Sequence, residues 1–182
     1  MGKKSTSGLK SVYIFVDNSN IWITGKEVSG QSKSKPVPSN YWYRVDYGKL
    51  LTLVQGQRPL GDMPKLYGSE PPPVDSVWKR IQEHGFDVTL FKRNIFNKEK
   101  GLDMKLGMDV TMLAMRVKPP GIVALIAGDA DYEPVVAQIR TMGWEVEVWY
   151  WDNAAKNLVK AANYFHSLNS HLNQIGYDGA PR

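Results

Sequence analysis

Two aspartates two positions apart, Asp129 and Asp131, follow Gly128 at the end of an unbroken apolar run, Ile122-Val123-Ala124-Leu125-Ile126-Ala127. Such a run reads as a strand covered on both faces, since half-buried strands alternate instead. In open α/β sheets the carboxyl ends of these strands face the ligand crevice. Carboxylates placed there, without basic neighbours in sequence, suit a hard cation such as Mg2+ or Mn2+. The same residues are equally ordinary helix starters, because Asp is a favoured N-cap. The rest of the chain has to separate the two uses.

A second strand-like segment, Val12-Tyr13-Ile14-Phe15-Val16, ends the same way, in Asp17-Asn18-Ser19-Asn20. The three polar residues after Asp17 can hydrogen-bond a turn and cap a helix over Ile21 to Glu27. A third acidic position opens a helix predicted over Gly101 to Val117, where Leu106, Val110, Leu113, Ala114 and Val117 form the apolar stripe. Asp103 falls in its first turn. Asp109 lies six residues on, about 9 Å along the helix and roughly 120° round it. These two are therefore poorly placed to share one ion, and geometry favours Asp103 for a site at the strand ends.

The elements that must position these residues follow from periodicity and breakers. Tyr47 to Val54 reads as a short amphipathic helix, Pro64 to Ser69 as a strand, and Val74 to His84 as a helix closed by Gly85. Phe86 to Phe91 is rich in strand formers. Glu133 to Met142 is predicted helical and ends at Gly143. Trp144 to Tyr150 alternates as a strand, and Ala154 to Leu168 reads as a last helix before a frayed tail. Val28 to Asn40, rich in Ser, Lys, Gly and Pro, reads as a mobile loop. Its lysines, Lys26 just before it with Lys33 and Lys35, have a solvated insert as the commoner outcome. Tyr41-Trp42-Tyr43-Arg44 after it has two uses, stacking on bases or burial against the core, with burial the commoner.

Strands alternating with helices imply βαβ units and a mainly parallel, five-stranded sheet. All strand C-ends then share one edge. Asp17, Asp129 and Asp131 meet there, and Asp103 enters from its helix start. A shared rim of carboxylates is costly unless a cation neutralises it, which favours a metal site over four unrelated caps.

Composition sets the outer limits. The chain has 182 residues, 42% of them hydrophobic and 23% charged, which fits one ordinary globular domain. No run is long enough to span a bilayer, and the first ten residues do not resemble a secretory signal. The expected location is intracellular and cytoplasmic, with no membrane partner. There is no cysteine, so disulfides and thiolate metal sites are excluded. His84, His166 and His171 are scattered, the last two read as surface or tail residues. The net charge of +5 is a mild bias towards an anionic partner. Lys92, Arg93, Lys98, Lys100 and Lys105 crowd one segment, so an acidic centre stands beside a basic rim. That arrangement suits an enzyme gripping a phosphate backbone, although each lysine alone is little more than a solvated charge.

Three stretches resemble the motifs of NYN domains, which belong to the PIN-like nuclease superfamily. They are Asp17-Asn18-Ser19-Asn20 after a strand, Lys100-Gly101-Leu102-Asp103 with Asp109, and Ala127-Gly128-Asp129-Ala130-Asp131-Tyr132-Glu133-Pro134-Val135-Val136. The strand Val146 to Trp149 with the Ala-rich segment Leu158 to Phe165 is similar too. The resemblance runs from about Val12 to Leu168. It implies a Rossmann-like three-layer α/β/α sandwich of PIN-like type and a metal-dependent endoribonuclease using Mg2+ or Mn2+. By that resemblance Asp17, Asp103, Asp129 and Asp131 are metal-binding and catalytic, Asn20 supports Asp17, and Asp109 is a further acidic site position. The insert over Thr24 to Asn40 and the aromatic block after it depart from the pattern.

The expected organisation is a flexible basic N-terminus over 1–10, a nuclease domain over 11–170 and a tail over 171–182. The expected reaction is hydrolysis of a phosphodiester bond in single-stranded RNA, and a homodimer is compatible with it. The alternative is a catalytically inactive module of the same fold that binds RNA or a protein. A haloacid-dehalogenase-type phosphatase is disfavoured because Ser19 stands where its second Asp belongs. A metal-dependent adhesion motif is disfavoured because Ile21 occupies its last Ser position.

Overall fold

The structure is a computed structural model that describes residues 8–70, 76–92 and 101–179. Its centre is a sheet of six parallel strands. In chain order these are β1 (Val12–Asp17), β3 (Lys65–Ser69), β4 (Asp87–Phe91), β5 (Ile122–Ile126), β6 (Glu145–Tyr150) and β7 (Tyr164–Ser167). Across the sheet the order is β4-β3-β1-β5-β6-β7, every neighbouring pair being parallel. A separate antiparallel pair joins β2 (Tyr43–Val45) to β8 (Gly176–Asp178).

The chain winds outward from β1 twice, first through β3 to β4, then from β5 through β6 to β7. The reversal falls between β1 and β5, whose residues Val16 and Ile126 are register partners. In doubly wound sheets this switch point opens the crevice at the strand C-ends, because the loops leave in opposite directions there. Asp17 ends β1 and Asp129 follows β5, so both stand at the switch.

Flanking helices supply the outer layers: α1 (Asn18–Gln31), α2 (Tyr47–Gln55), α3 (Ser76–Glu83), α4 (Leu102–Arg116), α5 (Glu133–Thr141), α6 (Lys156–Ala161) and α7 (Leu172–Ile175). The side chain of Tyr67 reaches α4, whereas Gly68 abuts Trp78 of α3, so those two helices cover opposite faces of β3. All of β1 and β5 is buried, as the unbroken apolar runs predict. Each large side chain so buried contributes roughly 1.5–3 kcal/mol.

Four expectations change. The sheet has six strands, not five, because the predicted last helix stops at Ala161. Tyr164–Ser167 is extended and completes the edge beside β6, with the His166 ring stacked on Trp149 at 4.1 Å. His166 is therefore half-buried rather than a surface residue. Residues 172–178 are not a frayed tail, since Leu172 and Ile175 are buried and β8 pairs with β2. The predicted loop over Val28 to Asn40 is largely ordered. Helix α1 continues to Gln31, and the turn after it is tied back by Asn40, whose amide donates to the Lys26 carbonyl at 2.7 Å and whose Nδ2 donates to Ser29 Oγ at 3.0 Å. Gly25, Ser29 and Gly30 weaken helix propensity, yet their small size admits neighbours: a methyl at Gly25 would meet the Trp151 ring at 2.9 Å.

Candidate functional site

Asp17 is buried, at 3% exposure, where β1 passes into α1. It caps that helix: Oδ1 accepts the Asn20 amide at 3.2 Å. Its other oxygen, Oδ2, accepts the Tyr132 hydroxyl at 3.0 Å. The same hydroxyl lies 2.9 Å from Oδ1 of Asp103. Asp103 stands in the first turn of α4, which starts from Gly101 in the left-handed region at φ 87, a conformation glycine adopts without strain. A carboxylate is favoured at that helix end. Two carboxylates from distant stretches thus converge on one oxygen atom.

A phenol carries a single proton, so Tyr132 can donate to only one of the two carboxylates at a time. Burial pushes the Tyr132 hydroxyl far above its ordinary value, and the charges of Asp17 and Asp103 push it further. It therefore remains a donor. Two like charges this close repel, and a cation between them relieves the cost.

Asp129 is half-buried and likewise acts as a cap, Oδ1 accepting the Asp131 amide at 3.1 Å where a turn of 3-10 helix, Ala130–Tyr132, begins. Its Oδ2 takes no hydrogen bond among the described residues. The Asp131 side chain is exposed and hydrogen-bonds to nothing described; its backbone N–H is what Asp129 holds. The cap and the site reading are therefore compatible, since each cap consumes one oxygen of its carboxylate.

Asp109 is placed elsewhere. Its Oδ1 accepts Lys105 Nζ at 2.6 Å and its Oδ2 accepts the Tyr67 hydroxyl at 2.7 Å. It opens on a small depression shared with Phe15, Asp62, Lys65 and Arg116. The helix spacing that separates it from Asp103 holds in three dimensions. Asn20 lies at the site, where the Tyr150 hydroxyl donates to its backbone oxygen at 3.0 Å and also contacts its side-chain oxygen. Of the basic segment, Lys92 is exposed, Lys105 is occupied by Asp109, and Arg93, Lys98 and Lys100 lie outside the described residues.

Tyrosines are what sequence reasoning missed. Tyr132 joins Asp17 to Asp103. Tyr150, at the C-end of β6, lies across Gly128 so closely that a methyl there would sit 2.0 Å from its ring, and its hydroxyl also meets Thr24 Oγ1 at 2.9 Å. Tyr47 donates to Asn18 Oδ1. Burial holds the Tyr150 hydroxyl up, at about 12. The available signal was chemical: a tyrosine inside an apolar element needs a partner for its hydroxyl, and Tyr150 ends a strand on the same edge as Asp17.

Among the described residues, the acidic groups at this edge, Asp17, Asp103 and Asp129, are oxygen donors, as a hard cation requires. Among the described residues no three acidic or imidazole side chains cluster closely enough to hold an ion alone. The Asp17–Asp103 pair still fits Mg2+, which is commonly held by one or two carboxylates while waters and substrate phosphate complete its shell.

The model of the NYN domain family matches residues 11–169. No curated protein matches the chain. Among solved structures, a protein of unknown function from Vibrio parahaemolyticus superposes with a TM-score of 0.67 at 18% identity, over 92% of this chain and 96% of that one. At that identity the likeness speaks for the fold, a parallel sheet between helices. With a family match over most of its length and the sheet, switch point and acidic edge in place, the chain belongs to the NYN domain family of the PIN-like nuclease superfamily.

Proposed function

We propose that the chain is a metal-dependent endoribonuclease that hydrolyses phosphodiester bonds of single-stranded RNA, with Asp17 and Asp103 holding Mg2+ or Mn2+ and Asp129 on the same sheet edge. One observation carries the reading: Asp17 and Asp103 share the Tyr132 hydroxyl at the sheet's switch point. When bound there, a divalent ion would supply Lewis-acid stabilisation of charge on the phosphoryl oxygens and a lower pKa for water. The protein supplies position. The Asn20 amide and the Tyr132 hydroxyl each hold one oxygen of Asp17, which stops the carboxylate rotating. Asp103, more exposed, faces the incoming strand. Asp129 keeps Oδ2 as an acceptor for a hydrogen of the attacking water. Exposed Lys92 is a contact for the RNA backbone, with Asp131 acting through water at the rim.

A labelled single-stranded RNA and its DNA counterpart, incubated with Mn2+, Mg2+ or EDTA, test this. RNA fragments are expected with either metal and not with EDTA, and Asp17→Asn should leave the RNA intact. No cleavage by the wild-type chain under any condition overturns the proposal. Because only two carboxylates converge among the described residues, a rival reading is a module that binds RNA without cutting it. That rival expects Asp129→Asn to bind and behave as wild type.

A further inference from the structure

The segment Tyr41-Trp42-Tyr43-Arg44 divides in the structure. Tyr43 is buried and donates to the Leu172 carbonyl at 3.1 Å, whereas Tyr41 is 67% and Trp42 39% exposed. The two exposed rings meet edge to face at 5.3 Å. Opposite them on α1, Trp22 carries Lys26 Nζ 3.5 Å above its ring centre, and the same ammonium is 5.1 Å from the Tyr41 ring. The Arg44 guanidinium approaches Tyr41 from the other side, at 5.9 Å. Two exposed rings, the half-buried Trp22 ring and two half-buried cations therefore occupy one patch. Neither Lys26 nor Arg44 pairs with a carboxylate among the described residues; nearby Asp178 is engaged by Lys33 and Asn40.

The backbone of the patch is tied down by hydrogen bonds. Asn40 ties its backbone to Lys26 and its side chain to Ser29, and its Oδ1 accepts the Trp42 amide at 3.2 Å. Arg44 Nη1 donates to the Tyr41 carbonyl at 2.7 Å. Rings held in place lose little entropy on meeting a ligand. Trp22 and Lys26 are one turn apart on the helix that Asp17 caps, about 7 and 13 Å along it from that residue. At roughly 3.4 Å per stacked nucleotide, that is a span of a few nucleotides.

We infer that Trp22, Lys26, Tyr41, Trp42 and Arg44 form a stacking platform for unpaired bases and adjoining phosphates of an RNA strand that runs through the acidic site. The charge is complementary: two uncompensated cations call for an anion, and exposed ring faces call for flat, apolar partners, a combination that a single-stranded nucleic acid supplies. Paired bases are stacked on one another and cannot use the rings. The inference rests on the RNA reading above and narrows it to unpaired strands.

Binding is measured by fluorescence anisotropy with a short labelled single-stranded RNA and with the same sequence as a duplex, in EDTA and on the Asp17→Asn background, so turnover plays no part. Tyr41→Ala should weaken single-strand binding about ten-fold and leave duplex binding alone, while Tyr41→Phe keeps wild-type affinity. Lys26→Gln with Arg44→Gln should lower the single-strand salt slope by about 1.4. Tyr41 is a surface residue, and circular dichroism on each variant shows whether the fold is kept; Trp42→Ala provides a second truncation. Single-strand affinity within about two-fold of wild type for both truncations, equal losses on the duplex, or no RNA binding by the parent overturns the platform. Loss of affinity without metal-dependent cleavage in the companion assay would retain the platform and sink the nuclease instead. A patch that leaves RNA untouched but binds a protein would also overturn it.

Discussion

The Tyr132 hydroxyl stands 3.0 Å from Oδ2 of Asp17, a buried carboxylate whose other oxygen is occupied by a helix cap. The contact fixes Asp17 in one orientation and brings Asp103 to the same point. Tyr132→Phe keeps the ring, which fills its place in the core, and removes only that hydroxyl. Removing the group that orients a metal ligand costs about 10–100-fold in metal affinity or activity. Calorimetric titration with Mn2+ and the cleavage assay should both register the loss, and unchanged values in both would show that the hydroxyl orients nothing.

Away from the site, half-buried Arg58 and buried Glu147 form a two-pronged ion pair, with contacts of 2.6 and 3.1 Å. Glu147 also accepts the Trp149 indole N–H at 3.0 Å. Arg58→Met leaves a buried carboxylate without its counter-charge, which costs about 3–5 kcal/mol. Thermal unfolding should show a drop on the order of 10 °C. Replacing both members, Arg58→Met with Glu147→Leu, should recover much of it. Equal losses in the single and double variants would refute the pairing.

Asp109 predicts a pH dependence. Burial opposes its ionisation, but hydrogen bonds from Lys105 and Tyr67 and the charges of Lys105 and Lys65 outweigh it and hold the carboxyl below its ordinary 3.8. A carboxyl depressed on folding adds stability above the unfolded value and loses it as pH falls through the folded one. Asp109→Asn should thus lower the urea midpoint by a constant amount from neutral pH to about pH 5; the gap should narrow below the unfolded value and close as pH falls through the lower folded one. A gap that persists in strong acid would assign the effect to packing rather than charge.

The architecture was legible because its signals are local. Apolar runs at Val12 to Val16 and Ile122 to Ala127 are short, rich in β-branched residues and ended by turn formers, which reads as buried strands, and the Leu106-Val110-Leu113 stripe needs only helical periodicity. The six-residue spacing alone likewise sets Asp109 apart from Asp103 along and around the helix. Strand β7 was not legible: Tyr164–Ser167 is extended through its pairing with β6, beyond the reach of a window on Ala154 to Leu168. Nor was the length of α1, whose weak helix formers Gly25, Ser29 and Gly30 are held by Trp151 and the Asn40 turn.

The sequence by itself determined a parallel α/β sheet with Asp17 and Asp129 at strand ends and Asp103 at a helix start, since burial patterns and breakers set those places along the chain. Only the tertiary structure decided what surrounds them. One tyrosine hydroxyl lies within hydrogen-bonding distance of both Asp17 and Asp103, Tyr150 lies over Gly128, and Trp22 and Tyr41 stand outside the core. Hydroxyl partners and ring exposure depend on side chains that meet through space from distant positions. A residue's type states what it can donate or bury, and the packing of the other layers states to whom.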